Sequence, residues 1–376
     1  MDFQLREEQQ QFADVLRRWV DKDYGHEVRR QIIHSASGVS DSAWQTLVEL
    51  GMTALPVPEA QGGFNGGAVD LWVVMQELGR GLVVEPYFAT VWGAEFLKRA
   101  GNQAALLEQV AAGELKLACA LGEQQSRHDL YDIRTSAVRE GEGYCLNGVK
   151  SVVIHGAQAG ALIVSARAAE APDGVSLFVV PADAAGLQRR DYRTIDGLRA
   201  ATVELRDVRL PAAALLAQGS AGADLLDAAA DYGVTLLCAE AVGCMDALFA
   251  ATLDYLKTRK QFGTAIGSFQ ALQHRMADMY IHLEQARSMA MLAAARQDGA
   301  DVAERRRAVS AAKVRIGQAA KFIGQQAVQL HGGMGVTDEL AAAHLFKRLT
   351  MIDLTLGDVD HHLQRFVAQP AFAEHA

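Results

Sequence analysis

Positive charge is in short supply in this chain. Lys and Arg number 36 against 45 Asp and Glu, a formal charge of -9. No basic stripe offers a footprint for nucleic acid, and a polyanionic ligand would have to be met by a few local cations rather than by a general field. Cysteine is as scarce: Cys119, Cys145, Cys238 and Cys244 are the four in the chain, with no CxxC spacing and with apolar neighbours. They predict reduced core residues of a cytoplasmic protein rather than a redox or metal set. The opening MDFQLREEQQQF lacks the basic and apolar regions of a secretory signal, and no run approaches the ~20 apolar residues of a membrane span. No internal repeat and no low-complexity segment is found.

What is present is a long chain with a changing period. Its 376 residues, 50% hydrophobic and 22% charged, suffice for two or three packed units. Residues 1–115 read as helical, with Leu5, Phe12, Val15, Leu16 and Trp19 as the first apolar stripe and all four tryptophans as core. The stretch LPVPEAQGGFNGG, residues 55–67, must be a loop, and ELGRGLVVEPY ends a helix at Gly81 or just after. From 116 to 217 the period falls to two, with an Asn-Gly turn expected at Asn147 and Gly148, predicting a β-barrel or sandwich. Residues 221–376 carry four long helical patterns, 223–258, 268–297, 302–331 and 340–366, predicting a four-helix bundle, with 218–230 as a boundary.

The stretch from Tyr255 to Asp278, YLKTRKQFGTAIGSFQALQHRMAD, says most about chemistry. A stripe of Val234, Cys238, Ala241, Met245, Leu248, Thr252 and Tyr255 leads into a cationic turn with Lys257, Arg259 and Lys260. Gly263 is expected to stop that helix and Ser268 to cap the next. Cations at a helix C-terminus offset the macrodipole, which is one reading. Arg259 also offers a planar fork suited to phosphate, with Gln261, Gln270, Gln273 and His274 as neutral donors.

RKQFG followed by IGSFQALQHRMADM resembles the acyl-CoA dehydrogenase superfamily, and QLHGGMGV is the second mark. The resemblance covers essentially the full chain. It implies an N-terminal helical domain, a middle β-domain and a C-terminal bundle, with FAD as cofactor and acyl-CoA as substrate. Arg259 and Phe262 match residues that reach a neighbouring subunit's FAD. Gln329, Gly332 and Gly333 match those near its adenosine half, where the absence of a Cβ lets backbone lie close to a ligand. At the flavin ring the match thins. LACALGEQQSRHDL places Leu121 and Gly122 where the family bonds the ring, with Gly122 replacing a Thr, although Glu123 and Asp129 are retained. Ile154 stands where a Thr bonds near N5, and His155 beside it reads as a solvent-facing loop residue or as the one polar group left there.

Desaturation requires a carboxylate that reaches the α-carbon while the β-hydride passes to the flavin. In most of the family that Glu lies 27 residues after the residue matching Gln329, which here is Leu356. A minority place the base at the position of Gly233, which is equally empty. Two relocated bases can be named. Asp358 could swing inward, but it also reads as the N-cap of the last helix. Glu240 lies about 10 Å along the helix from Gly233, in a stripe of small residues, and is either paired across the bundle or functional. Asp358, Asp360, His361 and His362 do not form a metal set, because neighbours on one turn point apart.

The losses have a direction: the residues lent to a neighbour's FAD survive, and those that serve the chain's own flavin do not. LEQARSMA, HLFKRLTMID and GDVDHHL are similar to small subunits of heteromeric enzymes described as pimeloyl-CoA dehydrogenase. The expectation is a subunit of a heterotetramer with a homologous large chain, served by an electron-transfer acceptor and independent of nucleic acid and membrane. Two alternatives stand: a self-sufficient homotetramer using Asp358 or Glu240, and a non-catalytic structural partner.

Overall fold

The computed structural model describes residues 5–168 and 170–369. Among these, six helices precede the first strand: α1 (Glu7–Asp23), α2 (His26–His34), α3 (Asp41–Glu49), α4 (Ala68–Arg80), α5 (Tyr87–Ala100) and α6 (Ala104–Ala111). Local chemistry sets their ends. Ser40 accepts the N–H of Ala43 at the start of α3, and Gly101, at φ +71°, closes α5 in the left-handed conformation. The Pro/Gly stretch is a loop, as its composition requires. It folds back so tightly that a Cβ on Gly63 would lie 2.0 Å from the Val57 carbonyl oxygen. All four tryptophans are buried.

Eight strands follow: β1 (Leu117–Ala120), β2 (Ser136–Glu140), β3 (Gly143–Ile154), β4 (Ala161–Ala168), β5 (Ala171–Pro181), β6 (Leu187–Arg193), β7 (Arg199–Pro211) and β8 (Leu215–Ala217). They make one sheet in the order β6-β7-β3-β2-β4-β5-β8, with β1 beside β4. Most pairs are antiparallel; β4 pairs in parallel with β1 and β2, and β1 and β4 are buried along almost their whole length. Asn147 and Gly148 do not form the expected turn. They lie inside β3 at a bulge opposite β7, where the Asn147 side chain exchanges hydrogen bonds with Asp207. The reversal between β2 and β3 falls instead around Gly141, at φ +61°. Asn-Gly marks a turn only when nothing across the strand claims the amide.

The remaining elements are α7 (Gly219–Thr258), the two-stranded β9 (Lys260–Gln261) and β10 (Thr264–Ala265), α8 (Gln270–Gln297), α9 (Val302–His331), α10 (Ala341–Leu354) and α11 (Val359–Val367). α7 starts inside the expected boundary segment. It is also long and apolar enough to cross a membrane by length and composition, contrary to the expectation from the sequence, but most of its apolar window is buried as in a core helix. Val234, Cys238, Ala241, Met245, Leu248 and Thr252 are all buried. The fourth expected helix is broken: α10 ends at Leu354 and α11 restarts at Val359, across Leu356 at φ +57° and Gly357 at φ +104°. Ser268 does not cap α8. Its hydroxyl turns back to the Ala265 carbonyl, and Phe269 holds the cap position.

By compactness the chain forms two units. One comprises residues 32–67 and 84–233, and is organised on the sheet; the other comprises the chain through Gln31, Ala68–Val83 and the chain from Val234 onward. In the helical unit α4 and α7 meet backbone to backbone. A Cβ on Gly243 would lie 1.8 Å from the Gln76 carbonyl oxygen, and one on Gly79 would lie 2.2 Å from that of Glu240.

Candidate functional site

The cationic turn is a hairpin. Arg259 donates its N–H to Tyr255 at 2.8 Å and its carbonyl accepts from Ile266 at 2.9 Å, while Gln261 faces Thr264 across β9 and β10. Phe262 and Gly263 sit at the tip with φ of +54° and +81°. Gly263 therefore shapes the hairpin, and α7 has already ended at Thr258. Two successive left-handed residues are what a two-residue hairpin with strand-like twist requires, and Phe is an unfavoured residue for such a place. Phe262 is 92% exposed and meets Phe269 edge-on at 6.1 Å. A strained, projecting aromatic costs the isolated chain free energy, which makes sense where another surface covers it. Arg259, Gln261, Gln270, Gln273 and His274 are exposed around it.

The second mark lies next to the first. α9 ends at His331, whose ring stacks on Tyr255 at 4.6 Å and bonds the Ala327 carbonyl at 2.8 Å. This stack joins the last turn of α7 to the Gly-Gly turn. Gly332 adopts φ +60°, ψ -144°, a region essentially restricted to glycine, and its N–H bonds the Gln329 carbonyl. A Cβ on either Gly332 or Gly333 would meet nothing within 4 Å, so the space above them is open. By contrast, Gly335 packs against Val328. Gln329 is exposed at the same rim.

Both candidate bases are engaged. Glu240 is buried and receives two bonds from Arg348, Nε to Oε1 at 2.6 Å and Nη2 to Oε2 at 2.7 Å. This is pairing across the bundle, in which the carboxylate offsets a guanidinium that could not otherwise be buried. Asp358 is the N-cap of α11, accepting the His361 N–H at 2.9 Å. The chain at Leu356 is organised by two residues that stand out little in the sequence. Lys313, fully buried, points its Nζ at the carbonyls of Ile352, Asp353, Thr355 and Gly357 at 2.8, 2.8, 3.1 and 2.7 Å. Burial pushes its ammonium down to about 8, against the pull of Cys238, Asp353 and Asp358. His362 bonds the Leu356 carbonyl through Nε2 at 2.8 Å, and burial together with Lys313 pushes its pKa down to about 3.

In the sheet unit, Leu121 is buried and Gly122 half-buried at the end of β1. The Leu121 carbonyl accepts from Lys150 Nζ at 3.3 Å, and that of Gly122 accepts the Ser151 N–H at 2.9 Å. Lys150, wholly buried, also bonds Glu123 at 2.8 Å and Ser165 at 3.0 Å. Glu123 further accepts from the N–H groups of Arg134 and Thr135 and from the Thr135 hydroxyl. Burial raises its pKa, but Lys150, Thr135 and Gln125 outweigh burial and hold it at about 2. Ile154 packs with Ile32, Ile33, Val84 and Leu198. His155 is only 2% exposed, which corrects the expectation of a solvent-facing residue. Its N–H bonds Arg199, and its carbonyl accepts from Gln158 and Ala159, so it forms the inner corner of a turn.

Lys150, Lys313 and Arg348 were not singled out from the sequence, and His362 was weighed there only as a metal ligand. Lys313 had a signal: it falls in the stripe Val309, Ala312, Ile316, Ala320, where a cation is out of place unless it is fully bonded.

Comparison with known proteins agrees with this layout. The acyl-CoA dehydrogenase N-terminal, middle and C-terminal domain families match residues 6–114, 118–208 and 220–367. This chain belongs to the acyl-CoA dehydrogenase family. Acyl-CoA dehydrogenase FadE12 of Mycobacterium tuberculosis is 32% identical over 348 residues, covering 90% of this chain and 89% of that protein. Among solved structures, a variant of the steroid ACAD Tcur3481-Tcur3483 is 30% identical with a TM-score of 0.90, covering 98% of this chain and 99% of that one. The ChsE4-ChsE5 complex from Mycobacterium tuberculosis is 26% identical, also with a TM-score of 0.90, covering 99% of each chain.

Acyl-CoA dehydrogenases are FAD-dependent oxidoreductases, and the residues of this acyl-CoA dehydrogenase suit one part of FAD better than the other. Around Arg259 and Gly332 the fit is good: an exposed guanidinium, an exposed aromatic and two glycines under open space. At the ring positions it is poor. Neither Gly122 nor Ile154 carries a side-chain donor, although a Cβ at Gly122 would meet only the Ser151 oxygen, at 3.7 Å.

Proposed function

We propose that this chain is the small subunit of a heteromeric acyl-CoA dehydrogenase, one that lends binding residues to FAD held with a homologous large chain and carries no base of its own. The observation that carries this reading is the combination at the base position: Leu356 cannot accept a proton, and the two carboxylates that could replace it are committed to Arg348 and to the cap of α11. The named pairs Tcur3481-Tcur3483 and ChsE4-ChsE5 among the structural relatives support a two-chain enzyme.

When bound, FAD supplies the acceptor for the β-hydride of an acyl-CoA thioester. This chain's part is binding and orientation. Arg259 offers two parallel N–H donors to a pyrophosphate, Phe262 covers the cofactor from the hairpin tip, and Gln329 with the open backbone at Gly332 and Gly333 takes the adenosine half. The α-proton goes to a carboxylate of the large chain. The reading further includes a cytoplasmic heterotetramer, an electron-transfer acceptor, and an acyl group of the kind the pimeloyl-CoA resemblance suggests.

The test is flavin stoichiometry. Purified alone, the chain should retain little FAD; co-expressed with a homologous chain bearing the usual Glu, the complex should hold about one FAD per unlike pair. Bleaching of oxidised flavin by an acyl-CoA with this chain alone would overturn the reading in favour of the homotetramer. A complex that binds no flavin would leave only the structural-partner alternative.

A further inference from the structure

The break between α10 and α11 is more heavily bonded than a helix end requires. A terminating helix leaves its last four carbonyls without partners, and a single lysine among them is a common remedy. Here Lys313 takes Ile352 and Asp353 from the helix end and continues past it to Thr355 and Gly357, and His362 takes the one between, Leu356. Consecutive carbonyls from Thr355 to Gly357 are thus all turned toward two buried side chains. Gly357 completes the fit, since a Cβ there would lie 2.5 Å from His361 Cδ2 and 2.8 Å from His362 Nε2. Leu356 is left at φ +57°, a conformation that a leucine keeps only when its surroundings impose it.

We propose that Lys313 and His362 are a positioning pair that fixes the backbone at position 356 and so sets the direction of whatever side chain stands there. The inference rests on the reading of Leu356 as the place of the family's base. The pair acts through main-chain oxygens alone, so it is indifferent to the identity of residue 356, and loss of the carboxylate leaves the presenting geometry intact. His362 is braced in turn by Ser310, 3.5 Å from its Nδ1, and Arg365 donates to the same Ser310 hydroxyl at 3.2 Å.

The experiment is hydrogen exchange on the full chain, read at the amides of Thr355, His361 and His362. Lys313→Met should accelerate exchange there by at least about tenfold while the centre of α8 keeps its protection. His362→Gln, which retains a donor, should exchange like the wild type, and His362→Leu should be faster. Leu356→Glu should leave the pattern unchanged. Leu356→Gly should raise the melting temperature by roughly 1–2 °C in the wild type but not in His362→Leu, where the strain is already released. If Lys313→Met does not fold, the His362 and Leu356 arms decide alone. Indistinguishable His362→Gln and His362→Leu, or an equal effect of Leu356→Gly in both backgrounds, overturns the proposal. None of these readouts uses flavin or substrate, so they fail only if the positioning pair is wrong; the stoichiometry test fails only if the proposed function is.

Discussion

A guanidinium at position 259 and one at position 348 have opposite fates in this chain. Arg259 is exposed at the foot of a hairpin, where its charge is solvated and contributes little to stability. The role proposed for it is toward a ligand. In the assembled complex Arg259→Gln should lower FAD affinity by about 10- to 100-fold, the worth of a charge-assisted pair, with the melting temperature of the isolated chain unchanged. Titration with FAD and thermal denaturation check the two halves of that statement, and unchanged FAD retention sinks the role assigned to Arg259. Arg348 is buried against Glu240. Arg348→Met alone should cost about 3–5 kcal/mol because it strands a buried carboxylate, and adding Glu240→Met should recover most of the loss. Denaturant unfolding of the two single variants and the double variant measures this. Were Glu240 the base instead, the double variant would be stable but would abolish turnover of the complex.

The helices owe their placement to small residues at crossings as much as to apolar stripes. The stripe of α7 marks the buried face but not how closely α4 approaches it. Gly243 does, because its missing side chain is where the Gln76 carbonyl sits. Gly243→Ala should therefore destabilise by about 1–3 kcal/mol or more through forced separation of the two helices, whereas Gly25→Ala, with nothing within 4 Å, should be neutral. Thermal melts of both variants decide it; equal effects would mean the crossing is soft. The same scale explains two misreadings from the sequence. The pattern over 340–366 kept a helical period across Leu356, and only Asp358, readable as an N-cap, hinted at the break whose carbonyls Lys313 and His362 gather. Asn147-Gly148 had the composition of a turn, but Asp207 across the strand gave the asparagine side chain a different partner.

At the scale of the whole molecule, the buried titratable groups give the chain a pH signature. His362, held at about 3, stays neutral in the folded protein while the unfolded chain takes up protons below about 6.5, and burial lowers the half-buried His26 and His282 and the buried His344 in the same direction. Stability from His362 is intact above that pH and is lost as the pH falls toward 3. Glu123 adds a second limb, since its pKa falls from an ordinary 4.5 to about 2: its contribution is complete above 4.5 and disappears as the pH drops through 2. Stability measured by denaturant unfolding from pH 8 to pH 3 should decline from about 6.5 downward, with His362→Gln flattening the upper part of the slope and Glu123→Gln the lower part. The order of helical and strand periods and the RKQFG and QLHGGMGV motifs were legible in the sequence because each is a local matter of residue type and spacing. The tertiary structure alone decided that Tyr255 and His331 bring the two motifs together, that Glu240 belongs to Arg348, that His155 is buried, and that two side chains hold the backbone at position 356. Each of these depends on groups far apart in the chain, and a partner across space leaves no period in the sequence to read.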